Sequence, residues 1–197
     1  MGSAAQRLRM TEEEYLAFER ASDVRHEFAN GEIFAMAGGT YEHTTIAANM
    51  IGELRNALRG RKCSVQTSDM RIHIPLRGRY VYADASVVCG RPEFLDDKHD
   101  TLINPRVVVE VLSPSTEVYD RGEKFTLYQT LPSVMHYVLA AQDKPCIEVF
   151  TRMVDGLWKS RTYGPGEIVV LPALEISFEV DQVYSNVFDS DFDAPAA

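Results

Sequence analysis

The segment Asn104–Tyr128, with the sequence NPRVVVEVLSPSTEVYDRGEKFTLY, constrains the fold of this chain more than any other. It opens with Val107–Leu112, a short Val-rich run between prolines, which predicts a strand buried in the middle of a sheet. Glu110 stands in the middle of that run. Because burying an unpaired charge is very costly, Glu110 requires a cation, a hydrogen-bond network or a raised pKa.

A second isolated acid, Asp84, lies in a similar setting within Tyr80–Val88, which we interpret as one strand. By the period of two, Asp84 shares a strand face with Tyr80, Tyr82, Ser86 and Val88. If this strand and the Glu110 strand are neighbours, both acids point into one pocket. The alternative is that each acid is a salt-bridged or edge residue.

A helix from Asp120 to about Leu131, stopped by Pro132, follows the Glu110 strand. Lys124 and Tyr128 are four residues apart and share a face of it. A lysine there could orient water or stabilise charge on a phosphate. The alternative is a solvated lysine stem over an ordinary core tyrosine. Two buried-strand acids followed by a lysine suggest a metal-dependent phosphodiesterase, with Mg²⁺ or Mn²⁺ on carboxylate oxygens.

The remaining chain predicts an α+β protein. Thr11–Glu14 resembles a capping box, Asn30-Gly31 predicts a hairpin, and Thr40 caps a helix to about Leu58. The other predicted strands are Cys63–Gln66, Met70–Ile74, His136–Leu139 and an antiparallel tail of Ile147–Thr151, Leu157–Tyr163 and Ile168–Val170; Asp181–Phe188 is a predicted closing helix. Most strands lie between helices, which favours a mixed central sheet flanked by helices with extra antiparallel strands at both ends.

The chain of 197 residues, 45% hydrophobic and 25% charged, suits a single domain over 1–197. We predict a folded core over 10–188 and loose tails at 1–9 and 189–197. No stretch approaches the roughly 20 apolar residues of a membrane span. Cys63, Cys89 and Cys146 are few, odd in number and unpaired in spacing, which fits a reducing cytoplasm and excludes a CxxC zinc or redox motif.

The net charge of −9 argues at first against nucleic acid, but the charges are segregated. The segment Arg55–Arg79 is strongly basic and contains one acid, Asp69. Its basic residues are Arg55, Arg59, Arg61, Lys62, Arg71, Arg77 and Arg79. Such a segment can bind phosphates in an acidic protein. We therefore name Arg71, Arg77 and Arg79 as candidate DNA contacts; a solvated basic hairpin is the alternative.

Several of these motifs together resemble the Uma-type endonuclease family, long filed as a domain of unknown function, within the PD-(D/E)XK nuclease superfamily. The resemblance rests on EVLSPST followed by YDRxxKxxxY, on HEFxNGEI with a following AMA, on a histidine that opens a helix, and on ADASVV. It covers roughly Thr11 to Phe150. It implies a restriction-endonuclease-like core in which Asp84 and Glu110 match the metal-binding acids.

The chain departs from the superfamily pattern at two positions. Ala83 replaces the proline before the first acid, which is harmless because proline is no ligand. Leu112 replaces the superfamily lysine, and the resemblance implies that the lysine role has moved to Lys124, with Tyr128 one turn later. If that move is wrong, the site binds metal and cleaves poorly.

The resemblance also implies supporting residues. His43 begins the long helix where related nucleases carry a polar site residue, with Glu42 as an alternative and a helix-cap contact as the structural reading. Glu27 matches a family position, although a structural ion pair with Arg25 or another basic residue would explain it as well. Asp120 is interpreted as a cap of the Lys124 helix.

The predicted function is that of a Mg²⁺- or Mn²⁺-dependent DNA endonuclease. Asp84, Glu110 and the carbonyl of Val111 hold the metal, Lys124 assists the water, and His43 stands nearby. A homodimer is expected, because a two-fold assembly suits cutting both strands of a duplex. The competing interpretation is a nuclease-fold dimer that has lost cleavage and keeps a regulatory or nucleic-acid-binding role.

Overall fold

The fold is seen in a computed structural model that describes residues 9–188. The first helix, α1, covers Glu12–Ala21 and begins with the predicted capping box: Thr11 Oγ1 accepts from the Glu14 amide, and the Glu14 carboxylate accepts from the Thr11 amide. Asn30 and Gly31, both at positive φ, form the predicted hairpin turn. The two expected loose tails lie outside the described residues, apart from Arg9.

The remaining elements follow in chain order. The helices are α2 (Tyr41–Ala57), α3 (Glu117–Tyr119), a π-helical turn (Asp120–Lys124), α4 (Phe125–Gln129) and α5 (Val180–Val183). The strands are β1 (His26–Ala29), β2 (Glu32–Ala35), β3 (Cys63–Thr67), β4 (Arg71–Ile74), β5 (Arg79–Tyr82), β6 (Ala85–Cys89), β7 (Thr101–Leu102), β8 (Val107–Leu112), β9 (His136–Ala141), β10 (Ile147–Arg152), β11 (Trp158–Tyr163), β12 (Ile168–Leu171) and β13 (Ile176–Glu179).

The main sheet has six strands in the order β11-β10-β9-β8-β6-β3. Only the β8–β9 pair is parallel, so the sheet is mixed. Strands β6 and β8 are antiparallel neighbours, with Ala85 opposite Val109. Helices flank this sheet, which confirms the predicted α+β class.

The prediction of a single strand over Tyr80–Val88 is wrong. It divides into β5 and β6, which belong to different sheets, and Ala83 and Asp84 form the joint between them. Strand β5 lies in a second sheet of order β2-β1-β5-β4-β7. The sequence hides this break because no Gly or Pro marks it and the strand residues on both sides are buried, apart from Cys89 at the far end of β6.

The two faces of the main sheet carry different cores. Helix α2, capped by Thr40 as predicted, packs Ile46, Met50 and Leu54 onto the face that carries Val109. On the opposite face, Leu127 and Tyr128 of α4 pack with Val108, Leu112 and Tyr137. Glu110 alternates with its neighbours and therefore faces the α4 side.

Other boundaries also differ from the predictions. The helix predicted to start at Asp120 starts at Glu117 and contains the π-helical turn, and β7 is a short strand that was not predicted. The C-terminal strands do not form one antiparallel tail: β10 and β11 extend the main sheet, whereas β12 pairs with β13. Helix α5 is shorter than the predicted Asp181–Phe188.

The expectation that the cysteines are unpaired is wrong for two of them. Cys63 and Cys89 lie opposite each other on β3 and β6 and form a disulfide, which leaves Cys146 free. The sequence does not reveal this pairing because it depends on the register of two strands. None of the helices within residues 9–188 has the length and apolar character needed to cross a bilayer.

Candidate active site

Asp84 occupies the joint where the chain leaves one sheet and enters the other. Its Oδ2 accepts a 2.7 Å hydrogen bond from the backbone N–H of Val111, and its Oδ1 lies 3.0 Å from Nε2 of His43. The joint therefore places Asp84 beside β8, where it contacts Val111, the residue that follows Glu110. The Asp84 side chain is 18% exposed, so this carboxylate remains open to a small ligand.

Glu110 lies beneath it on the α4 side of β8 and is 3% exposed. Its Oε1 lies 2.9 Å from Nζ of Lys124 and accepts a 3.4 Å hydrogen bond from the Tyr128 hydroxyl. The cation and the hydrogen-bond network that burial requires are both present. Lys124 and Tyr128 do share a helix face, and that face is turned to Glu110 rather than to solvent.

Lys124 is enclosed by acceptors. Its ammonium donates to the backbone carbonyl of Tyr82 at 3.0 Å, and it lies 3.4 Å from Glu27 Oε1 and 3.7 Å from Asp120 Oδ1. The carboxylate of Glu27 also accepts from the Tyr82 amide at 3.2 Å. Glu27 thus pairs with Lys124, and Arg25 pairs instead with Asp69.

Asp120 is not the helix cap that its position suggested. The preceding helical turn starts at Glu117, so Asp120 stands inside the helical segment, where it is 3% exposed and directed at Lys124. A π-helical turn is one residue wider than an α-helical turn, and such turns recur at functional sites. Here it holds Asp120 and Lys124 together in the buried cluster.

His43 lies in the first turn of α2. Its backbone N–H donates to the capping Thr40 hydroxyl, while its ring contacts Asp84. The neighbouring Glu42 hydrogen-bonds Thr40 instead, so His43 is the residue of this pair that contacts Asp84. The hydrogen bond to Asp84, opposed by burial, raises the pKa of His43.

The cluster contains more negative than positive charge. The carboxylates of Glu27, Glu110 and Asp120 surround the single ammonium of Lys124, and a fourth carboxylate, that of Asp84, acts on Glu110. Burial, opposed by Lys124 and reinforced by Asp120 and Asp84, raises the pKa of Glu110 well above its usual value. Burial likewise raises the pKa of Asp120.

The excess of carboxylates also shifts the pKa of Lys124. Burial by itself would lower the pKa of Lys124, but Glu110, Glu27 and Asp120 outweigh it and raise that pKa well above its usual value. The three carboxylates therefore favour the charged form of the lysine. The carboxylates in excess over it bind either protons or a further cation.

The residues fit a hard divalent ion. The oxygens of Asp84 and Glu110 and the carbonyl of Val111 are the kind of ligand that Mg²⁺ and Mn²⁺ take. Within residues 9–188 no three His, Cys, Asp or Glu side chains are arranged to hold an ion by themselves. A metal here would therefore take two carboxylates, with backbone and water oxygens completing its shell.

The three candidate DNA contacts lie in different environments. Arg71 is 3% exposed and pairs with Asp100, and Arg79 is 6% exposed and pairs with Glu123. Only Arg77, at a positive φ in the β4–β5 turn, is exposed. Contact with DNA stays a prediction for these residues, and burial leaves Arg77 as the one with a free surface.

Sequence reasoning missed the structural contribution of Tyr82. Its backbone carbonyl and amide hold Lys124 and Glu27, and its hydroxyl donates to the buried Glu19. These contacts are made by backbone atoms, so no side-chain motif in the sequence indicates them. Recognising that a strand ends at Tyr82, just before Asp84, would have pointed to free backbone groups there.

Two proteins of Synechocystis are similar to this chain in sequence. The "Uncharacterized protein slr1290" of Synechocystis is 36% identical over 89% of this chain and 92% of that protein. A second Synechocystis protein, "Uncharacterized protein sll1609", is 32% identical over 76% of this chain and 84% of its own length.

A crystal structure described as a "putative nuclease belonging to DUF820", from Anabaena variabilis, superposes with a TM-score of 0.74. It covers 90% of this chain and 99% of the other at 15% identity, which shows a shared fold. The family model Uma2, described as "Putative restriction endonuclease", matches residues 12–182. By that match and by its similarity to the Synechocystis proteins, this chain belongs to the Uma2 family.

Proposed function

We propose that this protein is a divalent-metal-dependent endonuclease that hydrolyses phosphodiester bonds of DNA, with Mg²⁺ or Mn²⁺ held by Asp84, Glu110 and the Val111 carbonyl. The observation that carries the proposal is the excess of carboxylates around Lys124, next to a partly open Asp84. A cluster with an excess of carboxylate oxygens favours a hard divalent cation. Membership of the Uma2 family supports the reaction class.

The residues of the candidate site have distinct roles in this proposal. His43 and the Val111 amide fix the Asp84 carboxylate from two sides, so both oxygens are oriented before substrate arrives. Lys124 offsets the charge of Glu110 and holds it in place, and Tyr82 and Glu27 in turn hold the ammonium. A bound divalent ion supplies Lewis-acid stabilisation of charge on the phosphate and favours ionisation of the attacking water.

The proposal is tested by incubating the purified protein with plasmid and with single-stranded DNA, with Mg²⁺, with Mn²⁺ or with a chelator, at low and high salt. Cleavage that requires metal and is lost in Asp84→Asn supports it. Asp69→Asn is the matched control, because Asp69 is an exposed acid outside the cluster. Absence of cleavage in wild-type protein under every condition contradicts it.

A second candidate is a nuclease-fold protein that no longer cleaves. It is favoured by Leu112 at the superfamily lysine position and by the enclosure of Lys124, which is 6% exposed at its side chain. Calorimetry separates the candidates: metal binding without cleavage, or no binding at millimolar Mg²⁺, favours the second. We also propose a homodimer, which light scattering of the purified protein tests directly.

A further inference from the structure

A cleft of about 660 Å³ adjoins the buried cluster. One wall is the β1–β2 hairpin, and the other is the segment that leads from β8 into α3 and the π-helical turn. The lining residues that matter here are Glu27, Phe34, Arg79, Ser115, Thr116 and Tyr119. Glu27 touches the ammonium of Lys124, and the Tyr119 ring lies 5.9 Å from it, so the cleft opens directly onto the cluster.

Phe34 faces this cleft because of the strand register. It lies opposite Glu27 in the antiparallel hairpin, and directly opposed residues point to the same face of a sheet. The pair Phe28 and Ile33 points the other way, into the small core around Tyr15. Phe34 is nevertheless 50% exposed, which leaves a large aromatic face beside the site without a core to fill.

The lining of the cleft has no excess of positive charge. It contains Arg9 and Arg79 against Glu27, Glu32 and Glu123, and Arg79 pairs with Glu123. A phosphate site would show an excess of Lys and Arg. This cleft instead combines aromatic rings with the exposed hydroxyl-bearing residues Ser115 and Thr116, which suits a planar uncharged group with hydrogen-bonding edges.

A nucleobase has those properties, and unpaired bases stack on aromatic side chains in single-strand-binding proteins. We infer that this cleft receives a base unstacked from the DNA strand that is cut, with Phe34 as the stacking platform. The substrate is accordingly single-stranded or locally unpaired DNA rather than an intact duplex. This inference rests on the proposed function, because it places the neighbouring phosphate at Asp84 and Glu110.

The test measures binding separately from cleavage. Fluorescence of 2-aminopurine oligonucleotides is titrated with the protein in a chelator, for a single strand and for the matching duplex. We expect tighter binding to the single strand, with quenching of the probe. Phe34→Ala should weaken single-strand binding roughly tenfold, about the loss of one stacked base, whereas Phe34→Trp should retain it.

Two further variants separate stacking from other effects. Phe34→Leu keeps an apolar side chain without an aromatic face and should behave as Phe34→Ala. Phe188→Ala is the matched control, since Phe188 is a similarly exposed aromatic, 44% exposed, that packs on Tyr184 away from the cleft. Equal melting temperatures for all variants establish that the fold is unchanged.

The outcomes distinguish this inference from the proposed function. Metal-dependent cleavage with equal affinity for both DNA forms and no effect of Phe34→Ala overturns the inference and leaves the endonuclease proposal standing. Phe34-dependent single-strand binding without cleavage supports the inference and contradicts hydrolysis. If the wild-type protein neither binds nor cuts DNA, both are overturned.

Discussion

Lys124 Nζ lies 2.9 Å from Glu110 Oε1, in the closest ion pair of the buried cluster. The two residues come from different elements, a strand of the main sheet and the π-helical turn that follows it. Leu112, two residues after Glu110 on the same strand, packs into the apolar core. The helix therefore supplies the cation that the strand lacks, and it does so by direct contact with the acid.

Loss of either candidate metal ligand should abolish most divalent-metal affinity. Asp84→Asn and Glu110→Gln keep the side-chain shape and remove a charged oxygen donor. We expect metal affinity to fall by more than about 100-fold, since even partners outside the ligand shell cost 10–100-fold. Calorimetric titration with Mn²⁺ measures this, with Asp69→Asn as control; wild-type affinity in both variants would exclude the two-carboxylate site.

Removal of the Lys124 ammonium should affect both stability and cleavage. Lys124→Ala leaves Glu110 buried without its cation, which costs about 3 kcal/mol in the absence of metal. It should also lower cleavage by on the order of 100-fold, as for loss of one electrostatic stabiliser. Because a bound divalent ion replaces the missing charge, metal should raise the melting temperature more in this variant than in wild type.

Two related variants check the geometry of that lysine. Lys124→Arg should not restore full activity, because a planar guanidinium cannot replace a compact ammonium among three carboxylates. Leu112→Lys in the Lys124→Ala background should recover part of the cleavage if the two positions converge on one phosphate. Full activity of Lys124→Ala alone would show that the helix only packs against the sheet and that Lys124 has no part in cleavage.

Of the three candidate arginines, Arg77 should contact DNA and the buried Arg71 should not. Arg77→Glu is expected to weaken DNA retention and flatten its salt dependence without changing the melting temperature, because Arg77 is exposed. Arg71→Glu should lower the melting temperature, since Arg71 is buried against Asp100. Filter binding over a salt series measures DNA retention, and thermal melts of the same variants measure stability. Unchanged retention in Arg77→Glu would show that DNA contacts a different surface.

His136 should make the fold sensitive to mild acid. Burial, assisted by Arg106, lowers the pKa of His136 from 6.5 to about 4. Its Nε2 accepts a hydrogen bond from the Ala173 amide. The imidazole of His136 is therefore protonated less readily in the folded chain than in the unfolded chain. The neutral ring stabilises the fold fully above pH 6.5, and this contribution is lost as the pH falls towards about 4.

The size of the His136 effect follows from linkage, at about 3 kcal/mol over that window. Denaturant unfolding at pH 7 and at pH 4.5 measures it. His136→Gln keeps an acceptor, removes the titration and should flatten that part of the profile, whereas the exposed His99→Gln should not. Equal pH profiles for wild type and His136→Gln would show that other groups govern acid unfolding.

The sequence by itself determined several local elements and marked Glu110 as a residue that needs a partner. A capping box, an Asn-Gly turn and apolar spacing along α2 each act within a few residues, so Thr11, Asn30 and Ile46 could be assigned correctly. Glu110 stood out because a lone acid in a buried strand has to be compensated. That argument required a partner for Glu110 but could not say which one.

The tertiary structure decided what the acids meet and which basic residues are free. The break at Asp84 between two sheets, the Cys63–Cys89 disulfide and the burial of Arg71 all depend on packing between distant segments. Local sequence carries no record of such packing when no Gly or Pro marks the change of direction. The charge excess around Lys124 emerges only when β1, the joint, β8 and the π-helical turn are brought together, because electrostatic energies depend on distances through space rather than on separation along the chain.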